Sequence, residues 1–477
     1  MKTCIFIPVI VVLFASCTFQ QSAEWVSTTE GSPWEEQPDL RAVSADSISF
    51  VDVEIELDEK QQKMEGFGAC FNELGWISLS RLEPSQREDV MEELFFPNLG
   101  ANFNLCRMPI GANDFSRDWY SYNEKDSDFV MSNFTVANDL QTLIPFIKNA
   151  QKYNPDLSLW ASPWSPPSWM KYNKHYASAF TGLEVDTLYR NGLPADRVGY
   201  EGTDMFIQDS AYLAAYALYF TKFIESYREH GIEISAVMPQ NEFNSAQIFP
   251  SCCWTAASLS DFIGNYLGPA MRDLDVNVLF GTVERANEQL VDTVLTDPLA
   301  KKYVKGVGFQ WAGKGAIKGI HKRYPEMKLY QTEQECGDGK NDWKGAVYSW
   351  KLMKHYLDNG ASAYMYWNIS LEKGGISRWG WAQNSLVVID PESKTFTYTP
   401  EYYVLKHVSH YVQSGARKLA VTGSYENVMA FRNPDRSLVI VIANEDNIDK
   451  TISIKVKDMV FAPKLKANSF STIQLKQ

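Results

Sequence analysis

Residues 304–335 read VKGVGFQWAGKGAIKGIHKRYPEMKLYQTEQE. Two apolar runs of strand length, VKGVGFQW (304–311) and KLYQTEQE (328–335), flank a helical stretch, and that alternation is the pattern of a parallel sheet. The same unit recurs on either side. MEGFGACFN (64–72), NFNLCRMPI (102–110), SLWASPW (158–164), ISAVMPQNE (234–242) and VNVLFGT (276–282) precede it, and SAYMYWN (362–368) follows. Among the intervening helices is PSQREDVMEELFF (84–96), with Pro84 suited to a first turn. Another covers roughly 211–230, where Tyr212, Tyr216, Phe220, Phe223, Ile224 and Tyr227 share one face. Eight strands alternating with helices predict an α/β fold, a (β/α)8 barrel over 63–400.

Beyond residue 400 the texture turns all-β. ARKLAVTGSY (416–425), NVMAFRNPDRSLVIVIANED (427–446), KTISIKV (450–456) and FSTIQLKQ (470–477) are short alternating strands with a turn at Asn433-Pro434-Asp435. A helix at 400–414 joins them to the barrel. The alternating run ISFVDVEIELDE (48–59) has no barrel partner, so 46–62 is assigned to the same β-sandwich side domain as 401–477. Residues 17–45, rich in Ser, Thr, Glu and Pro, read as a tether. Residues 1–16 read as a signal peptide: Lys2 precedes a short apolar region, and Ala15-Ser16-Cys17 resembles a lipoprotein cleavage site with lipidation of Cys17. The expectation is an exported monomer, anchored in a bacterial cell envelope through Cys17 alone, on its periplasmic side or at the cell surface.

The 477 residues carry 45 Lys+Arg against 58 Asp+Glu, a formal charge of −13 that argues against nucleic acid as a partner. Hydrophobic residues make up 45% of the chain, enough for a sizeable core. Past the tether the cysteines are Cys70, Cys106, Cys252, Cys253 and Cys336, an odd number that gives no complete disulfide framework. With six His and none near a Cys at ligand spacing, no metal or other cofactor is expected. The 14 Trp, 24 Tyr and 26 Phe suit a core, and also platforms for sugar rings.

Barrel sites lie at the C-terminal ends of the strands. Those ends supply Asn72 and Glu73, Arg107 with Asp114, Trp164, Asn241 with Glu242, Trp311, Glu333 with Glu335, and Trp367 with Asn368. Ser/His pairs, phosphate loops and HExxH are missing. Two carboxylates facing each other across an aromatic cleft are what glycoside hydrolysis requires, one as proton donor and one to attack the anomeric carbon or to activate water. Blander roles stand beside these: Arg107 and Asp114 as an ion pair, Asp114 as a cap in NDFS, the tryptophans as barrel filling. Alternation points Glu333 and Glu335 to the same face.

The segments GFGACFNELGW, NFNLCRMPIGANDFS, LWASPWSPPSWMK, MPQNEF, LYQTE and YWN, in order from about 64 to 400, resemble glycoside hydrolase family 30. The resemblance implies a retaining double displacement with Glu242 as general acid/base and Glu333 as nucleophile. It implies that Arg107, Asp114, Trp164, Asn241 and Trp367 line the −1 sugar subsite, with Asn241 on the 2-hydroxyl. The glucosylceramidase-like pattern has a tyrosine after the sixth-strand tryptophan; here Ala312 follows Trp311, so another group must orient Glu333. FQWAGKGAI is similar to the endo-β-1,6-glucanase branch, which implies β-1,6-glucan as substrate. Trp311, Trp379 and Trp381 are further candidates for sugar contacts. β-Glucosidase, glucosylceramidase, β-xylosidase or xylanase activity, and a non-catalytic glycan-binding lipoprotein, are the alternatives.

Overall fold

The computed structural model describes residues 22–476, so the signal segment and Cys17 lie outside the described residues. Eight parallel strands close a barrel: Gly66–Cys70, Leu105–Pro109, Ser158–Ser162, Ala236–Val237, Asn277–Val283, Val304–Gln310, Lys328–Glu333 and Ala361–Asn368, called barrel strands one to eight. The interior is filled by Leu105, Trp160, Ala236, Met238, Leu279, Tyr330, Ala363 and Met365, a packed plug that leaves chemistry to the strand tips. Barrel strand four is only two residues long. After Val237 the segment MPQNE takes its bonds singly: Met238 N donates to Ala161 O at 2.9 Å and Asn241 N to Pro163 O at 2.7 Å.

The helices form the outer layer for reasons written into their sequences. Pro84–Phe95 starts with a capping box between Glu83 and Gln86 and buries Val90, Met91, Leu94 and Phe95. Ser210–Glu229 is capped by Asp209 and buries Tyr216, Phe220, Phe223, Ile224 and Tyr227. Pro400–Ser409 carries the chain out of the barrel.

The side domain has a ten-stranded sheet around the core of Trp25, Ile55, Leu419, Ile440, Ile454, Phe461 and Ile473, and a short second sheet of Lys450–Thr451 with Lys464–Leu465. The strand expected at 48–59 forms at Val53–Lys63, where pairing with Arg417–Gly423 sets its limits. The tether reading fails from residue 22 onward. Ser22–Thr29 and Ser32–Arg41 are strands, the first paired with the C-terminal strand Ser469–Leu475. The outer one is an edge strand with mostly exposed polar side chains, so its composition imitates a linker. The sheet is locked to the barrel by His407, whose ring nitrogens meet Thr472 and Thr28 at 2.9 Å, and by Phe470 against Trp343 and Trp350. Cys70, Cys106, Cys252, Cys253 and Cys336 are buried and free. Among the described residues no helix is long and apolar enough to cross a membrane.

Candidate active site

Arg107, at the centre of barrel strand two, is fully buried and organises the strand tips. Its Nη1 donates to Glu333 Oε2 at 2.8 Å, and its Nη2 donates to Asn241 Oδ1 at 2.7 Å and Ser162 Oγ at 2.9 Å. The guanidinium plane lies over the Trp164 ring at 4.3 Å and the Trp160 ring at 5.0 Å, which offsets part of the cost of taking the charge out of water. Arg107 is thus taken up with holding Glu333, Asn241 and Ser162 and presents no exposed surface of its own. No ion pair joins it to Asp114.

Glu333 ends barrel strand seven and accepts three donors. Trp311 Nε1 reaches Oε1 at 3.0 Å, while Arg107 and Gln310 Nε2, at 2.8 and 3.3 Å, reach Oε2. The indole N–H of Trp311 thus does what the missing tyrosine at Ala312 does not. Glu335 turns away to Lys314 Nζ at 2.6 Å and Tyr348 Oη at 2.5 Å, because the strand ends at Glu333 and alternation ends with it. Lys314 Nζ also donates to Trp311 O at 3.3 Å, so Glu335 braces the residue that braces Glu333.

Glu242 sits past barrel strand four with φ +46°, and Trp311 past strand six with φ +47°. Left-handed backbone at bulky residues costs about 1–3 kcal/mol each and recurs at functional sites. Thr282 Oγ1 helps hold the first of these turns by accepting from Glu242 N at 2.8 Å. Glu242 Oε1 accepts from Gln310 Nε2 at 3.1 Å and Oε2 from Gln247 Nε2 at 3.1 Å. One amide nitrogen, Gln310 Nε2, therefore touches both carboxylates. Their bridged oxygens are no further apart than the sum of its two contacts. The two carboxylates therefore meet across a single hydrogen-bonding group.

The two carboxylates are unlike electrostatically. Burial, and then the charge of Glu333, push Glu242 up to about 8. Burial also raises Glu333, but Arg107, Trp311 and Gln310 all pull it back. Glu333 stays above the usual carboxylate range, but a guanidinium outweighs two neutral amides, so it ionises more readily than Glu242.

The remaining candidates divide. Asn241 Oδ1 accepts from Arg107, Gln310 and Thr282, which leaves its amide NH2 as the group free to donate. Trp164 and Trp367 stack at 5.4 Å. Asp114 Oδ1 is buried without a partner, and burial together with the Glu333 charge pushes this carboxyl well above its usual range. The NDFS turn is capped by Asn113, whose Oδ1 accepts from Phe115 N at 2.8 Å, so Asp114 is not the cap. Glu73 is an anchor for the second-strand loop, bonded to Arg117 N, Asn138 and Thr142. Asn72 and Asn368 bond each other at 3.0 Å across strands one and eight. Trp379 is stacked on Trp119 at 4.5 Å and is 5% exposed, so it is no open platform; Trp381, 36% exposed, meets Phe249 edge-on at 5.1 Å. Gln310 and Gln247 were not singled out from the sequence. Gln310 had a visible signal, an amide at the tip of an otherwise apolar run; Gln247 had none. Among the described residues no group of three or more His, Cys, Asp or Glu is arranged to hold a metal ion.

Known proteins resemble this chain in sequence and fold. The family model described as the glycosyl hydrolase family 30 TIM-barrel domain matches residues 64–191 and 196–412, and that of the family's β-sandwich domain matches 415–473. The chain belongs to glycosyl hydrolase family 30. Putative glucosylceramidase 1 of Caenorhabditis elegans is 31% identical over 86% of this chain and 79% of its own length. The endo-1,6-β-D-glucanase of Neurospora crassa is 25% identical over 83% of this chain and 82% of its own. Among solved structures, SrfJ of Salmonella typhimurium matches with a TM-score of 0.84 at 22% identity, covering 96% of this chain and all of its own. The endo-β-1,6-glucanase BT3312 matches at 0.80 and 23% identity, covering 96% of this chain and 99% of its own. At those identities the two structures speak for the fold. The family membership makes the chain a glycosidase with a TIM barrel and a β-sandwich.

Proposed function

We propose that this family 30 glycosidase hydrolyses β-1,6-glucan with retention, using Glu242 as general acid/base and Glu333 as nucleophile. The observation that carries the mechanism is the Gln310 amide touching both carboxylates, of which Glu242 is the one pushed up to about 8. Glu333 attacks the anomeric carbon as the glycosidic C–O bond breaks, and the Glu242 proton passes to the leaving oxygen. Consuming the Glu333 charge in the ester lowers the proton affinity of Glu242. Glu242 then takes a proton from water, the hydroxide oxygen bonds to the same carbon, and Glu333 departs. Asn241 donates to the 2-hydroxyl, and Asp114 accepts from a ring hydroxyl.

Support for the linkage is the FQWAGKGAI segment and the two fungal endo-1,6-β-D-glucanases among the relatives. Export with a lipid anchor at Cys17 belongs to the same proposal and rests on residues 1–17 alone. The test is incubation with linear β-1,6-glucan: new reducing ends should appear with the wild type and not with Glu333→Gln. Intact glucan beside a hydrolysed aryl β-xyloside would overturn the linkage. A second reading, β-glucosidase action on a glucosylceramide, is favoured by the 31% identity to putative glucosylceramidase 1, and intact glucan beside cleaved glucosylceramide would select it.

A further inference from the structure

Residues 375–383, in the loop after barrel strand eight, form a hairpin. Ile376 bridges Ala382, Gln383 N donates to Gly375 O at 3.0 Å, and Ser377 N donates to Trp381 O at 2.7 Å. Every anchor of its tip lies on another strand's loop. Trp379 stacks on Trp119, and Arg378 bonds Asp118 and the Arg117 carbonyl, all from the strand-two loop. Gly380, at φ +81°, lies so close to Tyr189 of the strand-three loop that a Cβ would meet its ring at 2.9 Å. Trp381 meets Phe249 of the strand-four loop. His175, also from the strand-three loop, stands edge-on to Trp119 at 5.1 Å.

Strands eight and four are opposite one another in an eight-stranded barrel, so a hairpin rooted on one and touching the loop of the other crosses the mouth. The half over strands one to four is roofed. Past the tips of strands three and four, Trp164 is 1% and Glu242 5% exposed. The half over strands five to seven presents part-exposed polar groups, among them Arg285 and Lys314. A sugar bound between Asp114 and Glu333 would have its far hydroxyls towards the hairpin, and its glycosidic oxygen must face Glu242 for protonation.

We infer that the hairpin makes the −1 subsite a blind pocket that admits only the non-reducing terminal sugar of a chain, so that the enzyme releases monosaccharide units. The inference rests on the proposed activity, and it replaces the endo action that the sequence resemblance implies. Hydrolysis at a chain end breaks the last glycosidic bond, giving the terminal sugar and a chain shorter by one.

The test pairs 4-nitrophenyl β-glucoside with 4-nitrophenyl β-gentiobioside and follows the first products. A blind pocket releases glucose and 4-nitrophenyl glucoside from the gentiobioside. Gentiobiose with nitrophenol as first products would overturn the roof while upholding the β-1,6 activity. Hydrolysis of the glucoside with the gentiobioside untouched would uphold the roof and overturn the β-1,6 linkage; hydrolysis of neither would overturn both. Trp119→Ala, which removes the stacking partner of Trp379, is expected to raise gentiobiose release several-fold while the simple glucoside is hydrolysed as before. Arg378→Ala, at an exposed position, should act in the same direction more weakly. Unchanged product ratios in both variants would overturn the role given to the hairpin.

Discussion

Replacing Trp311 with phenylalanine keeps an aromatic body and deletes one donor, the indole N–H that reaches Glu333 Oε1 at 3.0 Å. The other oxygen stays held by Arg107 and Gln310, so the carboxylate keeps its place and loses only part of its solvation. A hydrogen bond to a charged group contributes about 1.5–3 kcal/mol. At about 1.36 kcal/mol per decade, kcat/KM should fall about 13- to 160-fold. The sign of the pH effect follows from the same loss. The donor favours the charged form of Glu333, so removing it raises the pKa of this group. The acid limb of the kcat/KM profile should then move up by about one to two pH units. The assay is kcat/KM for an aryl β-glucoside from pH 4 to 9, with the double variant Trp311→Phe/Ala312→Tyr beside it to test whether a phenol at the family's position restores the bond. A raised KM with kcat and both limbs unchanged would refute the reasoning and make Trp311 a sugar platform.

Glu242→Gln should keep cleavage of activated aryl glycosides and lose that of glucan, and azide should rescue turnover with formation of a β-glycosyl azide; no rescue would remove Glu242 from the acid/base role. Since Glu242 donates only below its pKa of about 8, the basic limb of the wild-type profile should fall near pH 8, and Gln247→Met, which deletes a donor to its charged form, should move that limb upward. Arg107→Met leaves Glu333 buried without its cation and should cost about 3–5 kcal/mol in urea unfolding. A loss no larger than that of an exposed pair, read from the same curves, would mean the guanidinium is not what balances the carboxylate.

The barrel was legible because its strands are short apolar runs buried on both faces, and Glu242 and Glu333 because each ends such a run. What brings them together was not. Gln310 lies 68 residues from Glu242 and 23 from Glu333, and its contact to both depends on register shifts around the tip of barrel strand six. The left-handed turns at Glu242 and Trp311 have no glycine to announce them, since the strain is held by bonds from Thr282 and Lys314. Residues 22–41 were hidden for a different reason. Ser32–Arg41 is an outer strand with little to bury, and only Ala23, Trp25 and Val26 of its neighbour mark a core. Glu335 shows where alternation fails: a strand's periodicity ends with its last ladder bond.

The most direct test of the central claim is covalent trapping with 2-deoxy-2-fluoro-β-glucosyl fluoride, followed by intact mass and peptide mapping. The fluorine destabilises the positively charged transition states, and the good leaving group lets the ester form and persist. The account predicts one sugar per chain, on the peptide carrying Gln331, Thr332 and Glu333, bonded to Glu333. A label on Glu242 or Glu335, or an unlabelled enzyme that still cleaves glucan with inversion, would contradict it.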